Sequence, residues 1–402
     1  MSSAPEKVDL DHGLHKDDVH RILAYAQSMG VSDIKFYTGE PVIFTWRKRA
    51  YPVTRRVLQN NEVENLARLI YGDNALAQLG KGDDIDWRYE FEISRGSKAG
   101  FRVNITSCLC NGESRALRAT LRTLPGVPPE LGSLKAPSEI TDGLFPEHGG
   151  LVIVAGPTNS GKSTLLAAGI RHALEHHDSK CFLTYEDPIE FVYDQVNKLP
   201  GNLIAQQEIG KNLESFDMCG DNAMRSAPTD ILVGESRTRQ SLDSSMEFVL
   251  TGHTTYTTLH AQSVSMTFDR IIQKYPYEEQ SGVSERLLAS LRLIVIQRLL
   301  LRADGGGLVP VNEWLSFDRG VKAKLSGIKS DVIGRAVDKI VHEQGTSMAH
   351  HAAWRYSRGD ISIDVACGCS GLSADSIEKM AQKITDERKF LPGELSARGG
   401  GH

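Results

Sequence analysis

Residues 156–164 read GPTNSGKST, a stretch in which glycines, hydroxyl groups and one lysine lie close together. It lies between the apolar runs LVIVAG and LLAAGI, which predict a strand before it and a helix after it. Gly156 to Ser163 matches GxxxxGK[ST] in the strand–loop–helix context that makes this motif meaningful. Backbone N–H groups of such a loop, with the N-terminus of the following helix, favour a bound phosphate.

The side chains of this loop suit the parts of a nucleoside triphosphate. We predict that Lys162 reaches the β- and γ-phosphates of ATP, that Ser163 ligates Mg²⁺ and that Thr164 meets the α-phosphate. Asn159 stands where such loops often carry glycine, and asparagine tolerates a positive φ better than most residues. A glycine-rich turn without a ligand is the alternative, but it leaves the lysine and the flanking elements unexplained. The predicted nucleotide-binding residues are Gly156, Pro157, Thr158, Asn159, Ser160, Gly161, Lys162, Ser163 and Thr164.

Three carboxylates follow another apolar run, in the segment TYEDPIEF at residues 184–191. Glu186, Asp187 and Glu190 come directly after a predicted core strand, and ligands of open α/β sheets bind at the carboxyl ends of strands. Carboxylates at that position can hold Mg²⁺ or orient the water that attacks a phosphate. A solvated acidic turn is the alternative for this segment taken alone.

A second acidic strand end lies in DILVGES, residues 230–236. Most enzymes with this phosphate loop end the corresponding strand in an aspartate that helps to hold Mg²⁺, but here Gly234 stands there and Glu235 follows. We predict that Glu235 polarises the attacking water, although the residue types do not decide whether Glu186 or Glu235 is the general base. The predicted metal ligands are Ser163, Glu186, Asp187 and Glu235.

The segment TGHTTYTTLH at residues 251–260 places His253 and His260 on either side of a predicted strand. A single histidine in such a place is usually structural, whereas two of them directly after the second acidic strand end suggest a role at the site. An imidazole near the γ-phosphate can respond to its presence. We predict that both histidines act in this way, and we expect no metal site from the pair alone because further ligands are not evident.

The composition is that of a globular protein with more than one domain. The 402 residues exceed one ordinary core, so two or three domains are expected. Apolar residues make up 40% and charged residues 24%, as in soluble proteins. With a formal net charge of −5 the chain is not suited to coating nucleic acid, and we expect no direct sequence-specific binding to it.

No apolar run approaches the roughly 18–20 residues that a membrane span needs. The nearest, LLASLRLIVIQRLLL at residues 287–301, is interrupted by Arg292 and Arg298 and is predicted to be a buried helix. The N-terminus has no apolar segment of the kind found in secretory signals. We therefore expect a cytoplasmic protein that is not integral to a membrane.

Changes in hydrophobic pattern divide the chain into four parts. Residues 1–124 combine helical spacing with strand alternation and predict an α+β domain on an antiparallel sheet. Residues 125–150 are rich in proline and glycine and predict a linker. Residues 151–325 contain short apolar runs separated by helices, the pattern of a parallel sheet covered on both faces. Residues 326–402 are predicted to be helical with a disordered tail.

Taken together, these segments resemble the secretion ATPase superfamily, which includes pilus motors of the PilT type, type II secretion ATPases and type IV secretion traffic ATPases. The matching phrases are GPTNSGKST, TYEDPIEF, ILVGESR, TGHTTYTTLH, FRVN, LRTLP, FDRIIQKYP and QRLL…ADGGGLVP. The phrases DIDWRYEF, EFVYDQV and VLTGHTTYTTLH look most like the DotB and TraJ ATPases of type IVB secretion and conjugation. Thr238 stands where the family commonly has aspartate, so no role is carried onto it.

The resemblance implies an α/β fold: a RecA-like P-loop core with a parallel sheet, preceded by a small α+β PAS-like domain and followed by a helical C-terminal region. It also implies ATP hydrolysis with Mg²⁺, a homo-hexamer, and peripheral association with the inner membrane through a secretion or conjugation complex. Arginines of the first domain would complete the site and stabilise transition-state charge. Arg102 and Arg122 correspond to them on the FRVN and LRTLP matches, and Arg115 does so by spacing.

The main hypothesis is an ATPase that drives transfer of substrate or DNA through a type IVB-like secretion or conjugation system. A pilus retraction motor of the PilT kind is the nearest alternative, because its chemistry would be the same. A nucleotide-gated scaffold that scarcely hydrolyses ATP is disfavoured by the presence of both Lys162 and Glu235. A DNA-translocating motor is disfavoured by the acidic net charge and the histidine segment.

Overall fold

The computed structural model describes residues 4–10, 13–47, 49–110, 112–146, 149–384 and 390–391. Backbone packing divides the chain into two compact units. The first contains Met1–Gly126 and Pro188–Val192, and the second contains Val127–Asp187 and Tyr193–His402. The C-terminal tail, for which the sequence predicts disorder, lies outside the described residues.

The first unit combines one antiparallel sheet with helices. Its elements are α1 (Lys16–Ser28), β1 (Asp33–Tyr37), β2 (Ile43–Trp46), β3 (Arg49–Pro52), α2 (Asn60–Tyr71), α3 (Ala75–Gly80), β4 (Ile85–Ser94), β5 (Ser97–Cys110) and β6 (Glu113–Thr123). The six strands lie in the order β3-β2-β1-β6-β5-β4, and every neighbouring pair is antiparallel. The predicted antiparallel α+β architecture of this part of the chain is confirmed.

One face of this sheet is apolar and the other is polar. In β1, Ile34 and Phe36 are fully buried while Asp33, Lys35 and Tyr37 are partly exposed, because successive side chains of a strand point to opposite faces. The core formed by the sheet and its helices includes Ile22, Leu23, Val63, Leu66, Val103 and Leu121. The polar face is therefore available for arginines of β5 and β6.

A buried carboxylate joins the N-terminal segment of the first unit to α2. Glu62 accepts hydrogen bonds from Arg56 Nη2 at 2.6 Å and from the backbone N–H groups of Leu14 at 2.7 Å and Gln59 at 2.9 Å. The hydrogen bond from Arg56 is the largest cause that lowers the pKa of Glu62 to about 2, with burial opposing it and the backbone donors adding to it.

We expect Glu62→Gln to lower the free energy of unfolding by roughly 2 kcal/mol near neutral pH. The folded-state pKa lies below the ordinary value of 4.5, so this stabilisation is present above pH 4.5 and is lost as the pH falls through about 2. Urea unfolding of both proteins over this pH range measures the difference, which should shrink with acidification. If the difference in free energy of unfolding were the same at every pH, the stabilisation would not come from the ionised carboxylate of Glu62.

The second unit contains a seven-stranded, mostly parallel sheet with helices around it. Its elements up to the sheet's last strand are α4 (Ser138–Gly143), β7 (Gly150–Ala155), α5 (Lys162–His176), β8 (Cys181–Glu186), β9 (Leu203–Glu208), α6 (Cys219–Ser226), β10 (Asp230–Val233), α7 (Arg239–Leu250), β11 (Thr254–Leu259), α8 (Val264–Ile272), α9 (Gln280–Ser290), β12 (Leu291–Leu301) and β13 (Leu308–Ser316). The strand order is β13-β12-β7-β11-β10-β8-β9, and only the β12–β13 pair is antiparallel. The predicted α/β core is confirmed.

Strands in the middle of this sheet are buried on both faces. Every residue of β7, β10 and β11 is buried, which is why their sequences read as short apolar runs or threonine-rich runs rather than as alternating patterns. The carboxyl ends of these parallel strands lie at one edge of the sheet. That edge carries the phosphate loop, Glu186, Glu235 and His260.

The prediction of a buried helix over residues 287–301 is wrong. Helix α9 ends at Ser290, and the rest of the run forms β12, which pairs with β7 on one side and β13 on the other. Residues 293–297 of this strand are all buried, so its apolar pattern has no alternation to separate it from a buried helix. The β-branched series Ile294, Val295 and Ile296 is the local signal for a strand.

The described residues after β13 are mostly helical, as predicted. They form α10 (Arg319–Leu325), α11 (Ile333–Gln344), α12 (Met348–Ser357), α13 (Ile363–Ser370) and α14 (Ala374–Lys383). Within the segment predicted to be a linker, Leu131, Ile140 and Leu144 are buried and belong to the second unit. Among the described residues, no helix is both long enough and apolar enough to cross a bilayer.

Candidate functional site

The phosphate loop connects β7 to α5 and depends on residues that adopt positive φ. Gly156 has φ 153°, Asn159 has φ 62° and Gly161 has φ 82°. Asparagine at position 159 suits this conformation, since it tolerates a positive φ better than most residues. A Cβ atom at Gly156 would collide with the backbone carbonyl oxygen of Gln297, so glycine is required there for space as well as for conformation.

The chemical groups of the loop fit a bound phosphate. Lys162 Nζ donates to the carbonyl oxygens of Gly156 at 3.1 Å and Pro157 at 3.0 Å, which holds the ammonium over the loop. The buried hydroxyl of Ser160 has no hydrogen-bond partner within the described structure, an uncommon state for a buried polar atom. A polar ligand in the loop would supply such a partner, and the N-terminus of α5 adds positive potential.

Four segments meet at the same edge of the sheet because they follow adjacent parallel strands. The phosphate loop follows β7, His260 follows β11, Glu235 follows β10 after one residue, and Glu186 ends β8. These strands are neighbours in the order β7-β11-β10-β8. The edge therefore collects one ammonium, one imidazole and two carboxylates, and these include the phosphate-binding lysine and the carboxylates that phosphoryl transfer to water can use.

Glu235 is an ionised carboxylate held between basic groups. Its Oε2 lies 2.7 Å from Arg237 Nη2, and its Oε1 lies 3.4 Å from His260 Nε2. Burial is the largest single influence and raises the pKa of Glu235. The hydrogen bond and charge of Arg237, with the charges of His260 and Lys162, together outweigh burial and lower the pKa. Glu235 is therefore ionised at neutral pH and lies within electrostatic reach of Lys162.

Glu186 is held differently. Its Oε1 accepts from Thr184 Oγ1 at 2.7 Å and from Gln206 Nε2 at 3.3 Å. Gly234 lies against it, and a Cβ atom there would be 3.0 Å from the Tyr185 carbonyl oxygen and 3.3 Å from Glu186 Cα. This crowding gives a physical reason why the usual aspartate is replaced by glycine at this strand end.

The groups expected to hold Mg²⁺ are exposed or partly exposed at this edge. Ser163 and Asp187 are exposed, while Glu186 and Glu235 are partly buried. Within the described ranges, no three or more His, Cys, Asp or Glu side chains form a group that could hold a metal ion by themselves. Mg²⁺ commonly keeps several waters and binds through one or two carboxylates and the phosphates of a substrate, so this donor set fits it.

The two predicted histidines lie at opposite ends of β11. His260 is at the carboxyl end beside Glu235, whereas His253 precedes the strand and is level with the beginning of β7, since Thr254 pairs with Gly150. Six residues of strand span roughly 20 Å. The structure therefore brings His260 to the phosphate loop but does not bring His253 there.

The predicted arginines lie on the sheet of the first unit. Arg102 and Arg122 are directly opposite each other on β5 and β6, and they form ion pairs with Asp86 at 2.7 Å and Asp33 at 3.0 Å. Arg115 is exposed and lies seven residues from Arg122 on β6, roughly 23 Å along the strand. Arg102 and Arg122 are therefore neighbours in the sheet, whereas Arg115 lies far from both.

Sequence reasoning missed several polar neighbours of the site. Arg237 had a local signal, because it follows Glu235 by two residues, and Thr184 lies in the same strand as Glu186. Gln206 and Gln297 had no local signal in the sequence, since only strand pairing brings them to this edge of the sheet. Thr238, to which no role was assigned, caps α7 by accepting a hydrogen bond from the Ser241 N–H at 3.1 Å.

Comparison with known families gives one match that covers most of the chain. Residues 10–353 match the family described as type II/IV secretion system protein. The match includes the phosphate loop, both acidic strand ends and the histidine segment, and it ends within α12.

Solved structures and characterised relatives agree with this match. The ATPase DotB of Legionella pneumophila is 36% identical, covers 90% of this chain and 98% of that chain, and superposes with a TM-score of 0.78. The pilus retraction motor PilT with bound ADP is 27% identical, covers 89% and 98%, and gives a TM-score of 0.74. The type IV pilus retraction ATPase PilT of Pseudomonas aeruginosa is 31% identical over 302 residues, 74% of this chain and 81% of that protein. The predicted resemblance to secretion ATPases, including DotB, is confirmed.

Proposed function

The chain belongs to the type II/IV secretion system protein family, and from that membership we propose that it is an ATPase that hydrolyses ATP to power transfer through a secretion or conjugation system of the type IVB kind. The observation that carries the proposal is the edge where Lys162, Glu186, Glu235 and His260 come together after adjacent parallel strands. The likeness to DotB over nearly the whole of both chains supports the type IVB assignment.

The phosphate loop binds and orients the substrate in this proposal. Its N–H groups hold the phosphate oxygens, Lys162 contacts the β- and γ-phosphates, and Thr164 meets the α-phosphate. Mg²⁺ would neutralise charge on the β- and γ-oxygens, with Ser163, Glu186, Asp187 and Glu235 as the residues that hold it or its waters. The other loop residues shape the cradle.

Glu235 is the residue we propose as the acceptor of the water proton. Water attacks the γ-phosphorus, the bond from that phosphorus to the β–γ bridging oxygen breaks, and the proton passes to the Glu235 carboxylate. Arg237 and His260 hold this carboxylate ionised and oriented. Glu186, tied to Thr184 and Gln206, would hold Mg²⁺ or its waters rather than take the proton.

His260 is proposed to sense the release of phosphate, because the charges around its imidazole change when the γ-phosphate leaves. His253, at the other end of β11, is assigned a structural role. Arg102, Arg115 and Arg122 are proposed to act on the transition-state charge within a homo-hexamer. The assignments of residues 1–124, 125–150, 151–325 and 326–402 to a PAS-like domain, a linker, an ATPase domain and a helical region belong to the same proposal.

The docking partner is proposed to be an inner-membrane secretion or conjugation complex, which would keep this cytoplasmic chain at the membrane. A pilus retraction motor is the second candidate function. It is favoured by the 31% identity to the retraction ATPase PilT of Pseudomonas aeruginosa. The two candidates share their chemistry and differ in the apparatus that uses it.

Deletion and complementation in the organism that carries the gene separate the two candidates. We expect the deletion to abolish DNA transfer to a recipient strain, the wild-type gene to restore it, and Lys162→Ala to fail, because the loop then lacks its phosphate-binding ammonium. Immunoblots for equal protein amounts serve as the control. Unchanged transfer together with lost pilus retraction would overturn the type IVB assignment in favour of the second candidate.

A further inference from the structure

The phosphate loop is held from behind by one buried side chain of β12. Gln297 Nε2 donates to the Ser160 carbonyl oxygen at 2.8 Å, and Gln297 is only 5% exposed. A Cβ atom at Gly161 would be 2.8 Å from the same Nε2, and one at Gly156 would collide with the Gln297 carbonyl oxygen. Gln297 therefore contacts the loop at both of its ends, 137 residues away in the sequence.

Gln297 is itself fixed by the next strand. Its Oε1 accepts from Asn312 Nδ2 at 3.2 Å, and the two residues are directly opposite each other on β12 and β13. The backbone N–H of Asn312 donates to His351 Nδ1 at 2.9 Å. Both Asn312 and His351 are fully buried. An unbroken series of hydrogen bonds and covalent links thus runs from the phosphate loop to α12.

The imidazole at the end of this series is neutral and tightly packed. Its Nδ1 accepts a hydrogen bond, which puts the ring proton on Nε2, and burial lowers the pKa of His351 well below its usual value. The ring stacks on Phe390 at 5.4 Å and packs against Trp354 at 5.6 Å and Trp314 at 5.9 Å. A shift of α12 would therefore move the acceptor of Asn312.

A second contact anchors α12 to the same part of β13. Glu313 Oε2 accepts from the Met348 N–H at 3.1 Å, at the first residue of α12, and its Oε1 accepts from the Val264 N–H at 2.7 Å. The beginning of α12 and the residue pair 312–313 therefore move together. Because a buried donor or acceptor that loses its partner is costly, the series from Ser160 to His351 favours one joint arrangement of loop and helix.

We propose that the series Ser160–Gln297–Asn312–His351 couples the position of α12 to the conformation of the phosphate loop. Gln297 and His351 are then positioning residues for nucleotide binding, and one role of the C-terminal helices is to hold the loop in its binding conformation. The affinity part of this proposal rests on the proposed nucleotide-binding function. The conformational part does not, since it concerns the loop without ligand.

The first test measures the loop without nucleotide. Hydrogen–deuterium exchange of the full-length wild-type protein is compared with that of Gln297→Met, which removes the donor at similar volume, and His351→Leu, which removes the acceptor. We expect faster exchange in the peptide covering residues 156–164 in both variants. His350→Leu, the same change one residue earlier on α12, is the matched control and should leave that peptide unchanged, since the acceptor for the Asn312 N–H is His351 and the His350 ring hydrogen-bonds with Ser347 Oγ.

The second test measures ADP affinity by calorimetry. Mutations along such a series typically change the coupling between two sites by an amount that corresponds to about two- to thirtyfold in affinity. We therefore expect Gln297→Met and His351→Leu each to weaken ADP binding within this range. The double variant should bind no more weakly than Gln297→Met, because that change has already broken the series. His351→Asn, which keeps an acceptor near the Nδ1 position, should restore most of the affinity.

The outcomes separate this inference from the proposed function. If the wild-type protein does not bind ADP, the nucleotide-binding function fails, and the exchange experiment still decides the conformational coupling. If the wild-type protein binds ADP while both variants bind equally well, or the two effects multiply, the coupling is wrong. If His351→Leu does not fold, Gln297→Met decides: ADP should slow exchange in α12 of the wild type but not of this variant, and equal slowing overturns the proposal.

Discussion

Glu235→Gln is expected to lower the rate of ATP hydrolysis about 10²- to 10⁴-fold while ATP still binds, because the amide cannot take the proton of the attacking water. This carboxylate is ionised and lies within electrostatic reach of Lys162, and Arg237 and His260 contact its two oxygens. Glutamine preserves the shape of the side chain, so the loop and Lys162 should keep their positions. Steady-state phosphate release and binding of ATP, measured on the same preparations, give the two quantities.

Glu186→Gln is the matched comparison for this prediction. The same substitution at the neighbouring strand end should change the Mg²⁺ dependence of the rate more than the rate at saturating Mg²⁺, since Glu186 is tied to Thr184 and Gln206. If Glu186→Gln abolishes turnover at saturating Mg²⁺ and Glu235→Gln does not, the assignment of the proton acceptor is reversed. If neither change affects turnover, neither glutamate is the base.

Gly234→Asp is expected to destabilise the second unit by roughly 3 kcal/mol and to abolish turnover, although it restores the residue usual at this strand end. The new Cβ atom would lie 3.0 Å from the Tyr185 carbonyl oxygen and 3.3 Å from Glu186 Cα. Its carboxylate would add a third negative charge beside Glu186 and Glu235, and like charges at short range oppose ionisation. Urea unfolding and phosphate release measure the two effects.

Gly234→Ala isolates the contribution of the Cβ atom in this experiment. Alanine makes the same close contacts but adds no charge. We therefore expect the free energy of unfolding to fall by roughly 1 kcal/mol and ATP hydrolysis to be partly retained. The difference between the two variants then reports the aspartate carboxylate. An active and fully stable Gly234→Asp protein would mean that the strand end accommodates a metal-binding aspartate after all.

The sequence by itself determined the parts of the site that local pattern and elementary chemistry encode. The spacing of Gly156, Gly161 and Lys162 between an apolar strand and a helix identified the phosphate loop, and asparagine at position 159 is compatible with the positive φ found there. Carboxylates after short apolar runs were expected at one sheet edge, because parallel strands align their carboxyl ends. Glu186 and Glu235 lie there.

Tertiary structure alone decided which residues become neighbours. Residues 291–301 are a strand rather than a helix because β7 and β13 pair with them, and an apolar run buried on both faces carries no period of its own. His253 and His260 look equivalent in the sequence, yet the direction of β11 sends only His260 to the phosphate loop. The contacts of Gln297 with the loop, and through Asn312 with His351, join residues far apart in the chain, and no local pattern encodes such pairings.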